Sequence, residues 1–162
     1  MITIRRAGTL DARQMAELLD AIIQKGGTTA HTTPVTRATI LEWMGRDPDK
    51  SAWHVAEDDT GNILGFQFLE PHLDLPPEAC DIASFVRLGK TGLGVGSKLF
   101  EASRLAAKSL GYQWINATIR ADNGGGLAYY QSRGFEDYAH HPQQRLGNGA
   151  LVDKVSKRYD LT

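Results

Sequence analysis

The chain has a single cysteine, Cys80, among 162 residues. No intramolecular disulfide and no cysteine-rich metal site can be built from it, and a reducing compartment is expected. No apolar run approaches the ~18 residues of a membrane span. The first residues, Met1-Ile2-Thr3-Ile4-Arg5-Arg6, lack the apolar stretch of about 7–15 residues that marks a secretory signal. Net charge is also scarce. A formal −1 gives no field to steer the chain toward nucleic acid or an anionic membrane surface. Histidines are few, and the pair His140-His141 has no third ligand at metal spacing, so no metal is expected. Internal repeats, low-complexity segments and linkers are all lacking. The expectation is a cytoplasmic enzyme or binding protein folded as one domain over residues 1–162.

What is present is a regular alternation of element types. Ile2 to Ala7 alternates apolar and polar residues and reads as a strand. A helix follows from about Asp11, with Met15, Leu18, Leu19, Ile22 and Ile23 at helical spacing and Gly26-Gly27 as its stop. Thr36 is placed to cap a short helix carrying Ile40, Leu41, Trp43 and Met44. Trp53 to Glu57 and Ile63 to Leu69 read as strands joined through Asp58-Asp59-Thr60-Gly61-Asn62. Ala79 to Arg87 is the next strand. Lys98 to Leu110 reads as an amphipathic helix with Leu99, Ala102, Ala106 and Leu110 inward. Strands at Gln113 to Ile119, Phe135 to Ala139 and Val152 to Tyr159 and a short helix at Asn123 to Arg133 complete the order β-α-α-β-β-β-α-β-α-β-β. That order predicts an α/β (α+β) fold with one mixed sheet and helices on both faces.

Two stretches carry chemistry. Thr91-Gly92-Leu93-Gly94-Val95-Gly96-Ser97 lies between a strand and a helix. Glycines allow close backbone approach, and a helix N-terminus offers unpaired N–H groups at the positive end of its dipole. Together these make an anion site, most often for phosphate. Neither nucleotide motif fits. A P-loop needs Lys followed by Ser or Thr after the last glycine, and the order here is Ser97-Lys98. A dinucleotide fingerprint needs G-x-G-x-x-G, and this loop reads G-x-G-x-G. About 30 residues on comes Asn123-Gly124-Gly125-Gly126-Leu127-Ala128-Tyr129-Tyr130-Gln131-Ser132-Arg133-Gly134-Phe135.

In order and spacing these two stretches resemble the GNAT N-acetyltransferase superfamily, and in pattern its phosphinothricin-acetyltransferase-like branch. The superfamily's pyrophosphate loop is written Gln/Arg-x-x-Gly-x-Gly/Ala. Aligned on Gly94 and Gly96, Thr91 takes the Gln/Arg position, a departure from the pattern. The resemblance covers roughly Asp81 to Phe135. It implies the GNAT acyl-CoA N-acyltransferase fold, a mostly antiparallel sheet whose strands splay where the cofactor enters. It also implies acetyl-CoA as acetyl donor and direct attack by a neutral amine in a ternary complex.

From the same resemblance, Gly92, Leu93, Gly94, Val95, Gly96 and Ser97 would hold the pyrophosphate. Ser84, Phe85 and Val86 would pair with the pantetheine arm, with an N–H there polarising the thioester carbonyl. Tyr130 takes the position of the general acid. A phenol of pKa near ~10 can protonate a thiolate whose conjugate acid lies near ~8.5. Asn123 matches a cofactor-binding residue and is equally an N-cap for its helix. Tyr129 is read as core, turned away from Tyr130 by the ~100° step of a helix.

An alkylammonium of pKa near ~10.4 is charged at neutral pH, so a carboxylate must collect its proton, directly or through water. Asp81, on one strand face with Ala83 and Phe85, is the first choice. The branch carries Glu at that position. Glu70 and Glu78 are the alternatives. Cys80 points to the opposite face and is read as a buried, inert thiol. Thr28, Thr29 and His31, in a segment that loosely resembles the branch's acceptor region, are candidates to bind a small polar amine, or belong to a solvent-exposed loop. Arg87 and Arg120 flank the site in sequence, as partners for a substrate carboxylate or as charged strand ends. Three functions stay open: an N-acetyltransferase of a small polar, amino-acid-like amine, a protein or peptide N-acetyltransferase, and a non-catalytic acyl-CoA sensor. A homodimer is the family habit.

Overall fold

The computed structural model describes residues 1–161. Its elements are β1 (Thr3–Arg6), α1 (Ala12–Lys25), α2 (Arg37–Met44), β2 (Ala52–Glu57), β3 (Ile63–Glu70), β4 (Ala79–Val86), α3 (Val95–Ser109), β5 (Trp114–Arg120), α4 (Gly124–Ser132), β6 (Glu136–Arg145) and β7 (Leu151–Asp160). The strands form one seven-stranded sheet in the order β1-β2-β3-β4-β5-β7-β6. All neighbours are antiparallel except β4 and β5. The order of elements and the mixed sheet are those expected from the sequence.

Helices cover both faces because β2 and β3 carry apolar residues at every phase, so neither face can be left wet. On one face, Met15, Leu18, Leu19 and Ile22 of α1 and Ile40 of α2 bury against Val55, Phe66, Phe68 and Phe85. Trp53 stacks on Phe68 with ring centroids 3.9 Å apart, which ties β2 to β3. On the other face, Phe100, Ala106 and Ala107 of α3 and Tyr130 of α4 pack on Cys80, Ile82, Ile115, Ala117 and Ile119. Thr36 caps α2 as expected, its hydroxyl accepting from the Thr39 N–H at 3.3 Å. Among the described residues no helix is long and apolar enough to cross a membrane.

Two boundaries differ from the sequence expectation. Helix α3 begins at Val95, not Lys98, so Val95, Gly96 and Ser97 form its first turn. Gly94 caps it with φ of 80°, and Val95 is drawn in because its side chain is buried. The inward stripe is Val95, Leu99, Phe100, Ser103, Ala106 and Ala107, whereas Leu110 is 37% exposed at the helix end. Strand β6 runs to Arg145, well beyond Ala139. It is an edge strand, exposed along most of its length and bulged at two places, so no alternation marks it.

Candidate functional site

The site exists because two parallel strands part company. β4 and β5 pair only through Ala79 with Trp114, Cys80 with Ile115, and Asp81 with Asn116. Beyond that point each strand is held by its outer neighbour alone. The Arg87 N–H donates to the Leu64 carbonyl of the neighbouring strand at 2.7 Å. By antiparallel alternation the backbone groups of Ile82, Ser84 and Val86 then point the other way, into the gap. On the far side the Ala121 N–H donates to the Asp153 carbonyl at 2.8 Å, which leaves the backbone groups of Thr118 and Arg120 facing the same gap. A cavity of about 570 Å³ opens here, lined by β4, β5, the Thr28–His31 segment and the β6–β7 hairpin.

At the head of α3 no side chain caps the helix. The first-turn N–H groups of Val95, Gly96 and Ser97 have no intrahelical acceptor, and Gly92 and Gly94 take φ of 84° and 80° to present them. The glycine run does not line the cavity. It stands past the end of β4, apart from the cavity.

Beneath the gap, on the α3 and α4 side, lies a closed set of hydroxyls. The Tyr130 hydroxyl is 2.7 Å from Ser84 Oγ, and its side chain is buried. Gln67, fully buried on β3, donates from Nε2 to Ser84 Oγ at 2.7 Å and to Tyr129 Oη at 3.1 Å. Tyr129 Oη in turn donates to the Gly96 carbonyl at 2.7 Å. Burial pushes the Tyr130 phenol well above its ordinary value, while the Ser84 hydrogen bond pulls it down. Tyr129 is therefore not a plain core residue turned away from Tyr130. The two rings meet edge to face at 4.9 Å, and both hydroxyls enter one network.

The opposite face of the gap is polar and open. Asp81 Oδ1 accepts from Asn116 Nδ2 at 2.9 Å, and the same amide donates to Thr118 Oγ1 at 3.0 Å. Thr118 bonds Ser156 Oγ at 2.9 Å, and Ser156 bonds His141 Nε2 at 2.9 Å. The Tyr138 hydroxyl closes on Asn116 Oδ1. Burial pushes the Asp81 carboxyl above its ordinary range, against the Asn116 hydrogen bond and the pull of His72. Lys154 also lines this wall and makes no ion pair among the described residues.

Most of the residues expected from the sequence meet here. Asp81, Ser84, Phe85, Asn123, Tyr130, Thr28, Thr29 and His31 all border the cavity. The Thr28–His31 segment is fastened to the site, not loose in solvent. Arg120 Nη1 donates to the Thr29 carbonyl at 3.1 Å, and Asn123 Nδ2 to the Thr28 carbonyl at 3.0 Å. Asn123 also caps α4 through Oδ1, accepting from the Gly126 N–H at 3.0 Å. His31 stacks on Trp43 at 5.1 Å, and burial, then Arg46 and Lys154, lower its pKa.

The other candidate carboxylates and Arg87 lie outside the cavity, and Arg120, which borders it, already has a carboxylate partner. Glu70 pairs with Arg46 at 2.8 Å, and Glu78 is exposed outside the cavity. Arg87 donates to the Ile63 carbonyl, and Arg120 is paired with Asp122 at 2.8 Å. Cys80 is buried on the opposite face, its thiol pushed up to about 12 by burial. The sequence reading did not single out Gln67, Asn116, Thr118, Tyr138, Lys154 and Ser156, and it weighed His141 only as a metal ligand. The alternation of β5 and β7 was the available signal: it puts Asn116 and Thr118 in phase, as it does Lys154 and Ser156.

With this geometry in place, comparison with known proteins gives a consistent picture. The acetyltransferase (GNAT) family pattern matches residues 15–135. YwnH of Bacillus subtilis (strain 168), provisionally assigned as a phosphinothricin acetyltransferase, is 26% identical over 162 residues, 99% of this chain and 95% of that protein. A GNAT superfamily phosphinothricin acetyltransferase from Sinorhizobium meliloti, solved with acetyl-CoA, superposes with a TM-score of 0.88 at 19% identity, covering 98% of this chain and 88% of that one. A ribosomal-protein-alanine N-acetyltransferase from Brucella melitensis superposes with a TM-score of 0.89 at 20% identity, covering 98% and 99%. At these identities the two structures speak for the fold. The match from the first helix through the Asn123–Phe135 segment makes this chain a member of the GNAT acetyltransferase family.

Proposed function

We propose that this protein is an acetyl-CoA-dependent N-acetyltransferase whose acceptor is the primary amine of a small polar, amino-acid-like molecule. The carrying observation is the parting of β4 and β5, with a raised carboxyl on one face of the gap and a buried phenol on the other. The groups present suit acetyl-CoA. The uncapped head of α3 offers fixed N–H donors for the pyrophosphate. The open edge of β4 offers N–H and carbonyl groups for an amide-bearing arm, which would add to it as a strand does. When bound, acetyl-CoA supplies the activated acetyl group.

The chain's own residues then divide the work. Asp81 collects the proton of the incoming ammonium, directly or through a water, and its raised pKa brings it closer to the amine it must serve. A backbone N–H of β4 at the gap polarises the carbonyl under attack. Tyr130 gives its proton to the departing sulfur. Thr28, Thr29 and His31 hold the acceptor from above, and the Asn116–Thr118–Ser156–His141 wall holds it from the side. The relatives support the small-molecule reading through the YwnH assignment. The ribosomal-protein-alanine enzyme supports a second reading, with a peptide N-terminus as acceptor.

Thiol release from acetyl-CoA, followed across a panel of amino acids and their analogues including phosphinothricin, polyamines, aminoglycosides and short peptides, separates these. Turnover confined to amino-acid-like amines is the expected result. Turnover confined to peptides would replace it by the second reading. Tight acetyl-CoA binding with no turnover for any amine would reduce the protein to an acyl-CoA sensor.

A further inference from the structure

Beneath the gap, four side chains outside the acceptor cavity's polar wall form a hydrogen-bond chain whose direction is fixed atom by atom as far as Ser84. It starts at a group that can only accept, the carbonyl of Gly96 in the first turn of α3. Tyr129 Oη, 2.7 Å away, must spend its single proton there. Its oxygen is then free only to accept, so the atom of Gln67 at 3.1 Å is the amide nitrogen. The second hydrogen of that same nitrogen goes to Ser84 Oγ at 2.7 Å. Gln67 Oε1 is left with no partner, an orphan at a fully buried residue, which is a cost accepted for this orientation.

Ser84 now accepts from Gln67 and holds one proton of its own. Its remaining hydrogen-bond partner among the described residues is Tyr130 Oη, 2.7 Å away. Where Tyr130 donates, the Ser84 proton faces the cavity that Ser84 also borders; where Ser84 donates, the Tyr130 proton is left over. No acceptor for it exists on the protein side among the described residues, and Tyr130 borders the cavity. In that second arrangement the chain runs from the glycine loop to the phenol and leaves one hydrogen of Tyr130 directed at the gap.

We infer that Ser84 and Gln67 are positioning residues for proton delivery: together they turn the Tyr130 hydroxyl into an outward donor and hold the phenolate that remains. The inference rests on the reading of Tyr130 as the general acid. The step balances simply. The Tyr130 O–H bond breaks as the S–H bond of free CoA forms, and the phenolate accepts the Ser84 O–H hydrogen bond until solvent returns a proton. The same contact opposes the upward push that burial exerts on the phenol. Because Tyr129 anchors the chain on Gly96, the acid is also registered against the first turn of the helix that receives the pyrophosphate.

Two measurements test this, one of them on the protein without any ligand. The Raman Fermi doublet of a tyrosine ring distinguishes a phenol that accepts a hydrogen bond from one that donates, and wild type minus Tyr130→Phe isolates the Tyr130 signal. An acceptor-type doublet is expected. A donor-type doublet would mean that Tyr130 spends its proton on Ser84, and the inference falls.

The kinetic test uses thiol release from acetyl-CoA with the amine that turns over fastest in the panel above. Ser84→Ala should lower kcat about tenfold or more, as loss of a hydrogen bond to a developing charge does, with the KM for acetyl-CoA held within about twofold. Ser84→Thr, which keeps the hydroxyl, should restore most of the rate. Gln67→Glu replaces a group that gives hydrogens by one that takes them, so the Ser84 proton turns away from Tyr130 and kcat falls as in Ser84→Ala. A wild-type kcat in Ser84→Ala overturns the inference while leaving Tyr130 as the acid. A wild-type kcat in Tyr130→Phe overturns that underlying reading and the inference with it.

Discussion

The two faces of the β4–β5 gap are built from similar materials and organised in opposite ways. On the α3 and α4 side, Gln67, Ser84, Tyr129 and Tyr130 are drawn together under helices, and burial raises both tyrosine phenols. On the other side, Asp81, Asn116, Thr118, Ser156 and His141 run along strand surfaces from buried Asn116 and Ser156 toward solvent, with Thr118 exposed and Tyr138 45% exposed. In the proposed mechanism the closed face serves a step whose partner is always the same, the sulfur of the donor. The open face suits a step whose partner varies and whose proton must leave for water. The donor side should then tolerate little change, and the acceptor side should lose preference before chemistry.

The sharpest break in that comparison is Tyr130→Phe. Turnover should fall by roughly 10²-fold or more while acetyl-CoA still raises the melting temperature, as loss of a general acid does. Normal turnover would show that the closed face is structural only. Asp81→Asn should cost less, roughly 10- to 100-fold in kcat/KM, because solvent on the open face can take part of the proton load. Asp81 must be ionised to work, so wild-type activity should be lost as pH falls through its raised pKa, above the ordinary carboxylate value near ~3.9. That acid limb should vanish in the Asn variant. If it stays, Asp81 is not the base.

Gly96→Ala probes the closed face by volume. An added Cβ would lie 2.7 Å from Tyr129 Cε1, so urea unfolding should report a loss of about 1–3 kcal/mol. An unchanged midpoint would mean that the first turn of α3 shifts freely over Tyr129. Ser156→Ala should be the mildest. It removes the bridge between Thr118 and His141, and is expected to raise the acceptor KM by about two- to tenfold with the acetyl-CoA KM unchanged. A change in the acetyl-CoA KM instead would mean that the two faces are not independent.

The closed face was largely legible in the sequence, through local signals. Gly94, Asn123 and Tyr130 stand at spacings set by one loop and one helix, and the apolar phase of β2 to β4 announces helices on both sides. What the sequence hid there was close approach. Gly96 and Ser97 read as loop because small polar residues break a helical pattern, yet Gly96 sits inside the helix where Tyr129 presses against it. Tyr129 was assigned to the core by its position alone, since only the fold brings Gln67 and Gly96 to its hydroxyl. The open face was legible at Asp81 and in the Thr28–His31 segment. The rest of its wall comes from β5, β6 and β7, where Asn116, Thr118 and Ser156 look like the wet side of ordinary half-buried strands. Their convergence depends on the order β5-β7-β6 and on the bulges of an edge strand, neither of which leaves a local trace.

One amide spans both faces. Asn123 starts the helix that carries Tyr130 with its oxygen and grips the Thr28 carbonyl with its nitrogen. In the proposed mechanism the roof over the acceptor and the foundation of the acid thus share a fastening. An amine too large for the pocket cannot lift the roof without tugging at the helix that aims the proton. On that reading fidelity toward the acceptor would be enforced twice by one residue, once as fit and again as the readiness of the acid to fire.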